Sequence, residues 1–112
     1  TGSMDYVFYL DGRYYLADWK TDTLQSYSPE AVKNSVIKDY SIQKIIYKEA
    51  LSRWIGSVKS DYNYDSDFGG IFYIFLRGID SDGNGVYFER GDLHSHEKEY
   101  KTLQNEVIKN AK

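Results

Sequence analysis

The fold is decided by residues 4–20, which read MDYVFYLDGRYYLADWK. Runs of aromatic and aliphatic residues flank the pair Asp11-Gly12, and Asp-Gly in that setting is the strongest short-range signal of a β-hairpin. The preferred turn has two residues, which makes Leu10 the partner of Arg13 and fixes the register of both strands. We therefore predict an antiparallel hairpin of strands 4–10 and 13–20.

Two carboxylates are predicted to face each other across this hairpin. Counting outwards from the turn places Asp5 opposite Asp18, and the alternation of side chains puts Lys20 on the same face as Asp18. Like charges directly opposite each other destabilise a strand pair. A bound divalent cation would explain them, because Mg²⁺ takes oxygen ligands and keeps several of its waters. The alternative is that the strand ends fray and both aspartates point into water, and the hairpin pattern alone leaves both interpretations open.

Length and composition restrict the class of protein. A chain of 112 residues fits one domain, and 41% hydrophobic with 17% aromatic residues indicates a folded chain rather than a disordered one. The absence of cysteine excludes disulfides and thiolate metal sites, and no apolar run is long enough to span a membrane. The net charge of -3 argues against general electrostatic wrapping of DNA. It does not argue against a metal-dependent nuclease, whose carboxylates are neutralised by bound ions.

Periodicity and capping signals predict an alternation of strands and helices along the chain. Ser28 is a good N-cap, Pro29 suits the first helical position, and Gly56 is a typical residue at a helix end. The polar segment 57–67 is predicted to be a loop, and the apolar run 68–76 a central strand buried on both faces. The predicted elements are strand 4–10, strand 13–20, helix 29–38, helix 40–55, strand 70–77, strand 85–89 and helix 96–110.

Residues 80–85, DSDGNG, resemble the first half of an EF-hand calcium loop. The last ligand position of such a loop falls on Gly91, where a bidentate glutamate is needed, and the flanking segments are predicted strands rather than helices. A turn between two strands explains Asp, Asn and Gly at these positions equally well, so the turn is the favoured interpretation.

Other polar groups give weaker signals. His94 and His96 lie two residues apart in a chain without cysteine, and such a lone pair is weak evidence for zinc, so they are interpreted as surface or capping histidines rather than zinc ligands. Gln43 and Tyr47, four residues apart on a helix, read alone as an edge residue and a core aromatic. A basic stripe is interpreted as a solvated helix face and comprises Lys33, Lys38, Lys44, Lys48 and Arg53.

Taken in order, these segments resemble a known family. Gly2-Ser3-Met4-Asp5, Asp18-Trp19-Lys20 and Gln43-x-x-x-Tyr47 resemble the motifs of RecB-family nuclease domains, within the PD-(D/E)xK superfamily. Within this family, the chain resembles the nuclease domain of the beta subunit of exodeoxyribonuclease V. Segments 12–16, 40–51 and 68–80 strengthen the likeness, which covers about residues 2 to 90. An Asp-x-Lys element alone would be weak evidence, whereas the ordered set is specific.

The resemblance implies a role for each residue of the hairpin site. Asp5 and Asp18 would bind Mg²⁺, or Mn²⁺ as a substitute, with help from the backbone carbonyl of Trp19. Lys20 would position or activate the attacking water and stabilise charge on the phosphate. Together these residues imply metal-assisted hydrolysis of a phosphodiester bond.

The resemblance also implies a substrate and partners. Gln43 and Tyr47 would support the site and meet the DNA strand. The implied substrate is DNA, mainly single strands from an unwound duplex, cut during double-strand break repair and recombination. The implied partners are the helicase domains of the same full-length chain and RecC- and RecD-like subunits. The implied location is the bacterial cytoplasm.

The resemblance implies an α/β fold with a restriction-endonuclease-like core, in which a mixed central sheet is flanked by helices. The family has a further metal ligand, a histidine or glutamate, on a helix that would lie upstream of Thr1. We therefore expect residues 1–112 to form a single, truncated nuclease domain that lacks this N-terminal helix. We also expect a weakened metal site and little or no nuclease activity alone. A non-catalytic module for DNA binding or subunit contact is the alternative.

Overall fold

A computed structural model describes residues 3–111 of the chain, with side chains from Asp5 onwards. The elements are β1 (Ser3–Leu10), β2 (Arg13–Lys20), α1 (Pro29–Asp39), α2 (Ser41–Val58), α3 (Tyr64–Asp67), β3 (Phe68–Phe75), β4 (Val86–Glu89) and α4 (Leu93–Asn110). The four strands form one sheet in the order β1-β2-β3-β4. The central pair β2/β3 is parallel and both outer pairs are antiparallel, so the predicted α/β fold with a mixed sheet flanked by helices is confirmed.

The predicted hairpin forms with the predicted register. Leu10 pairs with Arg13 and Asp5 pairs with Asp18. Asp11 and Gly12 have φ angles of 50° and 86°. Two consecutive positive φ angles are typical of the type I′ turn, whose twist matches that of the flanking strands. Because the turn fixes the register, the two aspartates become direct cross-strand neighbours.

Helices α1 and α2 form the crossover that a parallel strand pair requires. Ser28 caps α1 as predicted, since its hydroxyl accepts a hydrogen bond from the Ala31 amide at 3.2 Å. The predicted end of α2 at Gly56 is wrong, because the helix continues to Val58. A glycine costs about 1 kcal/mol in a helix interior, and the buried residues Leu51 and Ile55 anchor the last turns of α2 against the core.

Capping side chains also explain two corrections to the predicted loops. Within segment 57–67, α3 forms one helical turn because the Asn63 side chain accepts a hydrogen bond from the Ser66 amide at 3.1 Å. Helix α4 begins three residues earlier than predicted, because Asp92 caps it by accepting from the Ser95 amide at 2.8 Å. Polar residues that indicate loops also serve as helix caps, and the two roles are hard to separate from local sequence.

The hydrophobic core lies between one face of the sheet and the first two helices. Helix α1 packs over β4, α2 packs over β2 and β3, and α4 packs against α2. The core residues are Leu16, Val32, Val36, Leu51, Ile55, Tyr64, Phe68, Ile71, Tyr73 and Phe75. No helix in the described part of the chain has the length and hydropathy needed to cross a bilayer.

The opposite face of the sheet carries a row of aromatic rings. Phe8 stacks on Tyr15 at a centroid distance of 5.2 Å, and Phe72 packs against Phe88 at 4.6 Å. Phe72 and Ile74 of β3 are only half-buried on this face. The prediction that β3 is buried on both faces is therefore wrong in part, because neighbouring rings rather than the core helices shield this side.

Candidate functional site

Asp5 and Asp18 form a carboxylate pair on the helix-covered face of the sheet. Both belong to paired strands, so the alternative that the strand ends fray is wrong, and the idea that both aspartates point into water is wrong for Asp18. Asp18 is 0% exposed, whereas Asp5 is exposed. Desolvation and the negative charge of Asp18 raise the pKa of Asp5 above its usual range. The pair therefore resists carrying two negative charges without a counter-charge.

Lys20 supplies one positive charge to this pair. Its side-chain nitrogen Nζ lies 2.9 Å from Oδ2 of Asp18 and donates a hydrogen bond to Oε1 of Gln43 at 3.1 Å. Lys20 is only 3% exposed. Side-chain alternation on β2 brings both charged groups to one face, two residues apart.

Two residues of helix α2, Gln43 and Tyr47, connect Lys20 to Asp5 through hydrogen bonds. Gln43 Nε2 donates to the Tyr47 hydroxyl at 3.2 Å, as expected for side chains four residues apart on one helix face. A side-chain hydrogen bond joins Tyr47 to Asp5 and lowers the pKa of this carboxyl, against the two larger effects that raise it. The five predicted side chains are thus assembled in one place and joined by polar contacts.

Tyr40 and Asp22 belong to the site, and sequence reasoning missed them. The Tyr40 ring centroid lies 3.8 Å from Nζ of Lys20, and the Tyr40 hydroxyl donates to Oδ2 of Asp22 at 2.5 Å. Burial and the hydrogen bond to Asp22 raise the pKa of Tyr40, so the phenol stays protonated. A signal was available, since Asp22 follows Lys20 by two residues and Tyr40 precedes Gln43 by one helical turn.

Tyr73 is a second tyrosine that the sequence analysis did not single out. It is the register partner of Asp18 across β2 and β3, and its ring stacks on that of Tyr40 with centroids 6.1 Å apart. The side chain is 0% exposed, and its hydroxyl has no hydrogen-bond partner among the described residues. Its position in an apolar strand pattern concealed it, because only the register with β2 places it beside the carboxylate.

The donor set fits a hard divalent cation. Two facing carboxylates supply oxygen ligands, and the raised pKa of Asp5 shows that added positive charge would be favourable there. No group of three or more His, Cys, Asp or Glu side chains suited to a metal occurs among the described residues. Two carboxylates are enough for Mg²⁺, which is commonly held by one or two of them together with substrate phosphates. The Trp19 carbonyl as a ligand stays a prediction, and Gly2 and the expected upstream helix lie outside the described residues.

A separate ionic cluster lies beside the site and corrects the interpretation of the basic stripe. Lys48 is 2% exposed, and its Nζ lies 3.0 Å from Oε2 of Glu89. Oε1 of Glu89 accepts hydrogen bonds from Nζ of Lys44 at 2.9 Å and from the Tyr87 hydroxyl at 2.8 Å. The prediction of a solvated helix face is therefore wrong for Lys48. Burial opposes ionisation of Glu89, but the hydrogen bonds from Lys44, Lys48 and Tyr87 outweigh it and lower its pKa.

The two histidines lie away from the carboxylate pair in the chain and in their contacts. His94 is exposed, whereas His96 is 2% exposed and its Nε2 lies 2.8 Å from Oε1 of Glu49. The prediction of a surface or capping histidine is wrong for His96, because α4 packs this ring against α2. Sequence spacing could not show the contact, since Glu49 lies 47 residues earlier.

The aspartate-rich segment 80–85 is a hydrogen-bonded turn. Oδ1 of Asp80 accepts from the Asp82 amide at 2.9 Å, and Oδ2 accepts from the Asn84 side chain at 2.9 Å. These bonds lower the pKa of Asp80. The favoured interpretation of this segment as a turn between two strands is confirmed.

Comparison with known proteins shows that the chain is similar to RecB subunits of RecBCD enzymes. No protein-family profile matches it. It is 43% identical over 95 residues to the RecBCD enzyme subunit RecB of Haemophilus influenzae, covering 80% of this chain and 8% of that protein. It is 36% identical over 96 residues to the same subunit of Escherichia coli, covering 80% and 8%. With the subunit of Mycobacterium tuberculosis it shares 34% identity over 84 residues, covering 70% and 8%. The chain thus spans about 8% of the length of these curated relatives.

Proposed function

Because the chain belongs to the RecB family, we propose that it is the nuclease domain of a bacterial RecBCD-type helicase–nuclease. In this role it hydrolyses DNA phosphodiester bonds with Mg²⁺ in double-strand break repair and recombination. The relatives are named as subunits of the RecBCD enzyme, and this chain matches a small part of each. The fold and the assembled motif residues support the proposal.

The observation that carries the proposal is the buried charge at Asp18 and Lys20. Their side chains are 0% and 4% exposed, and the atoms Oδ2 and Nζ lie 2.9 Å apart. Removing two charges from water costs as much as or more than their attraction returns, so such a pair is weak evidence for a role in stability. Groups with perturbed pKa values cluster at functional sites, and the pKa of Asp5, the cross-strand partner of Asp18, is raised. The exposed Asp5 lies directly opposite, and its negative charge and that of Asp18 repel each other. This repulsion also supports a functional role for the pair.

The carboxylates hold the metal in the proposed mechanism. Asp5 and Asp18 provide oxygen ligands, with the Trp19 carbonyl as a third. When bound, Mg²⁺ supplies charge neutralisation at the phosphate and acidifies the attacking water. The Tyr47 hydroxyl keeps Asp5 oriented, since its hydrogen bond favours the ionised carboxylate.

Lys20 acts on the attacking water and on the phosphate. A protonated lysine has three donors and no acceptor, so it orients the water and stabilises negative charge rather than taking a proton. Hydrolysis forms a bond between the water oxygen and phosphorus and breaks the bond to the leaving nucleotide oxygen. The attacking water loses one proton to solvent, and the leaving oxygen takes up one proton from solvent to become a hydroxyl. Gln43 holds the ammonium in place through Oε1 at 3.1 Å. Gln43 and Tyr47 also meet the DNA strand in this proposal.

The substrate and partners follow from the family relation. The helicase domains of the full-length chain would unwind a duplex and deliver single strands to the site, in the bacterial cytoplasm. RecC- and RecD-like subunits would complete the assembly. The net charge of -3 fits delivery by a motor better than capture of DNA by charge alone.

The decisive experiment measures metal binding and cleavage separately. Calorimetry and thermal shift with Mg²⁺ or Mn²⁺ are compared for the wild type, Asp18→Asn and Asp82→Asn, where Asp82 is an exposed turn residue. We expect a metal response that is lost only in Asp18→Asn. Cleavage of single-stranded DNA by a chain extended upstream of Thr1 should require Lys20. If that longer chain shows no metal response and no cleavage, a non-catalytic DNA-binding or subunit-contact module is the better description.

A further inference from the structure

We propose that Tyr40 is a positioning residue for Lys20, holding the lysine ammonium against its ring so that the ammonium points at the carboxylate pair. The inference rests on the proposed nuclease function. It assigns no contact with DNA or metal to Tyr40 itself. Instead, it states that the ring determines where the lysine can act.

The ring and the ammonium make a close cation–π contact. Nζ of Lys20 lies 3.8 Å from the centroid of the Tyr40 ring, well inside the range in which the ring quadrupole attracts a cation. Lys20 is 3% exposed, so little water competes for the ammonium. Cation–π attraction is stronger in such desolvated places than at a protein surface.

The Tyr40 ring is fixed from two sides. Its hydroxyl donates to Oδ2 of Asp22 at 2.5 Å, and its face stacks on Tyr73 with an interplanar angle of 22°. The hydroxyl bond holds the far end of the ring and the stack limits its tilt. A ring held in this way can define a position, whereas a mobile ring could only fill space.

The backbone at Tyr40 is fixed as well, because this residue joins two helices. Its amide donates to the Val36 carbonyl of α1 at 2.9 Å, and its carbonyl accepts from the Lys44 amide of α2 at 2.9 Å. Gln43, the other residue of α2 that contacts the ammonium, follows three residues later. The junction of α1 and α2 therefore carries both groups that hold Lys20 from the helix side.

Tyr40 matters because Asp18, another neighbour of the ammonium, has a competing task. Asp18 is both the counter-ion of Lys20 and a proposed metal ligand. A carboxylate that shares its charge with a metal holds the ammonium less firmly. The Tyr40 ring has no such second role, so it keeps the lysine in place when Asp18 is engaged.

The test compares variants that keep or remove the ring. Tyr40→Phe keeps the ring and loses the bond to Asp22, whereas Tyr40→Leu removes the ring. Tyr64→Leu is the control, because Tyr64 is a stacked tyrosine of the core, with its ring centroid 4.5 Å from that of Phe68, and makes no contact with Lys20. NMR spectra report the Lys20 ε-methylene protons, which an overlying ring shifts upfield. The same variants are assayed for cleavage in the chain extended upstream of Thr1.

We expect the upfield Lys20 resonances in the wild type, Tyr40→Phe and Tyr64→Leu, and a large reduction of the upfield shift in Tyr40→Leu, where only the more distant Tyr73 ring, 5.8 Å from Nζ, remains. Cleavage by Tyr40→Leu should fall about 10- to 100-fold in kcat with little change in KM, as for a misplaced catalytic group, and Tyr40→Phe should restore most of it. Unshifted Lys20 resonances in the wild type would overturn the inference, as would equal losses of kcat in Tyr40→Leu and Tyr64→Leu. If the wild type binds no metal and cuts no DNA, the proposed function fails, while the NMR comparison still decides whether Tyr40 positions Lys20.

Discussion

Tyr73 on β3 is the register partner of Asp18 on β2, in the parallel strand pair at the centre of the sheet. Both side chains are 0% exposed, and the Tyr73 hydroxyl has no hydrogen-bond partner among the described residues. Burial, and after it the charge of Asp18, raises the pKa of Tyr73, so its hydroxyl keeps its proton. A buried donor without a protein partner beside a buried carboxylate reduces stability, and such features are typical of functional sites.

Tyr73→Phe is therefore expected to leave the free energy of unfolding unchanged or to raise it. Removing an unsatisfied buried hydroxyl removes its desolvation cost and keeps the packed ring. Urea denaturation followed by circular dichroism measures the difference. Tyr64→Phe is the matched control, since the Tyr64 hydroxyl donates to the Gly91 carbonyl at 2.9 Å. The free energy of unfolding should fall by about 0.5–1.5 kcal/mol in Tyr64→Phe. An equal fall in Tyr73→Phe would show that the Tyr73 hydroxyl has a hydrogen-bond partner in solution.

Asp5→Asn is expected to increase stability at neutral pH while abolishing the response to metal. The pKa of Asp5 is raised by desolvation and by Asp18, so ionised Asp5 disfavours the folded state. For a carboxyl with a raised folded-state pKa, this penalty is present above that pKa and absent below the unfolded value, about 3.9. The gain in thermal midpoint from Asp5→Asn should therefore shrink as the pH falls towards about 3.

Added Mg²⁺ should reverse which of the wild type and Asp5→Asn has the higher thermal midpoint. A ligand that binds only the folded state raises its stability with concentration, so Mg²⁺ should raise the midpoint of the wild type and not that of Asp5→Asn. Asp82→Asn, at an exposed turn position, should behave as the wild type in both conditions. A lower midpoint for Asp5→Asn without metal would contradict the inferred repulsion between the carboxylates.

The sequence predicts the hairpin site well because its information is local. A two-residue turn at Asp11 and Gly12 fixes every cross-strand pair of β1 and β2, so Asp5 opposite Asp18 follows from counting. The i, i+4 spacing of Gln43 and Tyr47 places both on one helix face without knowledge of the fold. Local rules are sufficient wherever a short connection or a helical period sets the geometry.

Tyr73 and Lys48 could not be identified in the same way, because their environments depend on distant segments. The register that places Tyr73 beside Asp18 is set by a crossover through two helices, and it shifts at an irregularity between Tyr14 and Tyr15. Lys48 is buried against Glu89, which lies 41 residues further along the chain. Periodicity identifies which face of an element is polar, but it does not identify the partner that allows a charge to be buried.

Glu89→Gln is expected to make the stability of the domain less dependent on acid pH. Although burial opposes it, the hydrogen bonds from Lys44, Lys48 and Tyr87 lower the pKa of Glu89. A carboxyl with a lowered folded-state pKa stabilises the protein above its unfolded value, about 4.3, and this contribution is lost as pH falls through the folded value. Denaturation midpoints measured from neutral to acid pH should fall less steeply in Glu89→Gln than in the wild type. Glu97→Gln, an exposed site on α4, should keep the wild-type slope, and a Glu89→Gln slope equal to it would refute the assignment.

Gln43→Ala is expected to reduce cleavage while costing little stability. Gln43 bridges Lys20 and Tyr47, accepting from Nζ at 3.1 Å and donating to the tyrosine hydroxyl at 3.2 Å. Without the Gln43 side chain, the Lys20 ammonium loses one of its contacts, and Tyr47, which bonds to Asp5, loses a hydrogen-bond donor. Both Lys20 and Asp5 are then held less firmly. The expected decrease in kcat is about 10- to 100-fold, as for other small misplacements of catalytic groups, measured on single-stranded DNA with a chain extended upstream of Thr1.

The control for this prediction is Gln104→Ala, an exposed glutamine on α4 away from the carboxylate pair. It removes the same side chain from a helix and should leave kcat unchanged. Gln43→Glu adds a second test, since a carboxylate can still accept from Lys20 but cannot donate to Tyr47. We expect this variant to keep the lysine in place and to lose the hydrogen bond that residue 43 donates to Tyr47, giving activity between those of the wild type and Gln43→Ala. Full activity in Gln43→Ala would mean that Asp18 and Tyr40 alone hold Lys20, and the bridging role of Gln43 would have to be abandoned.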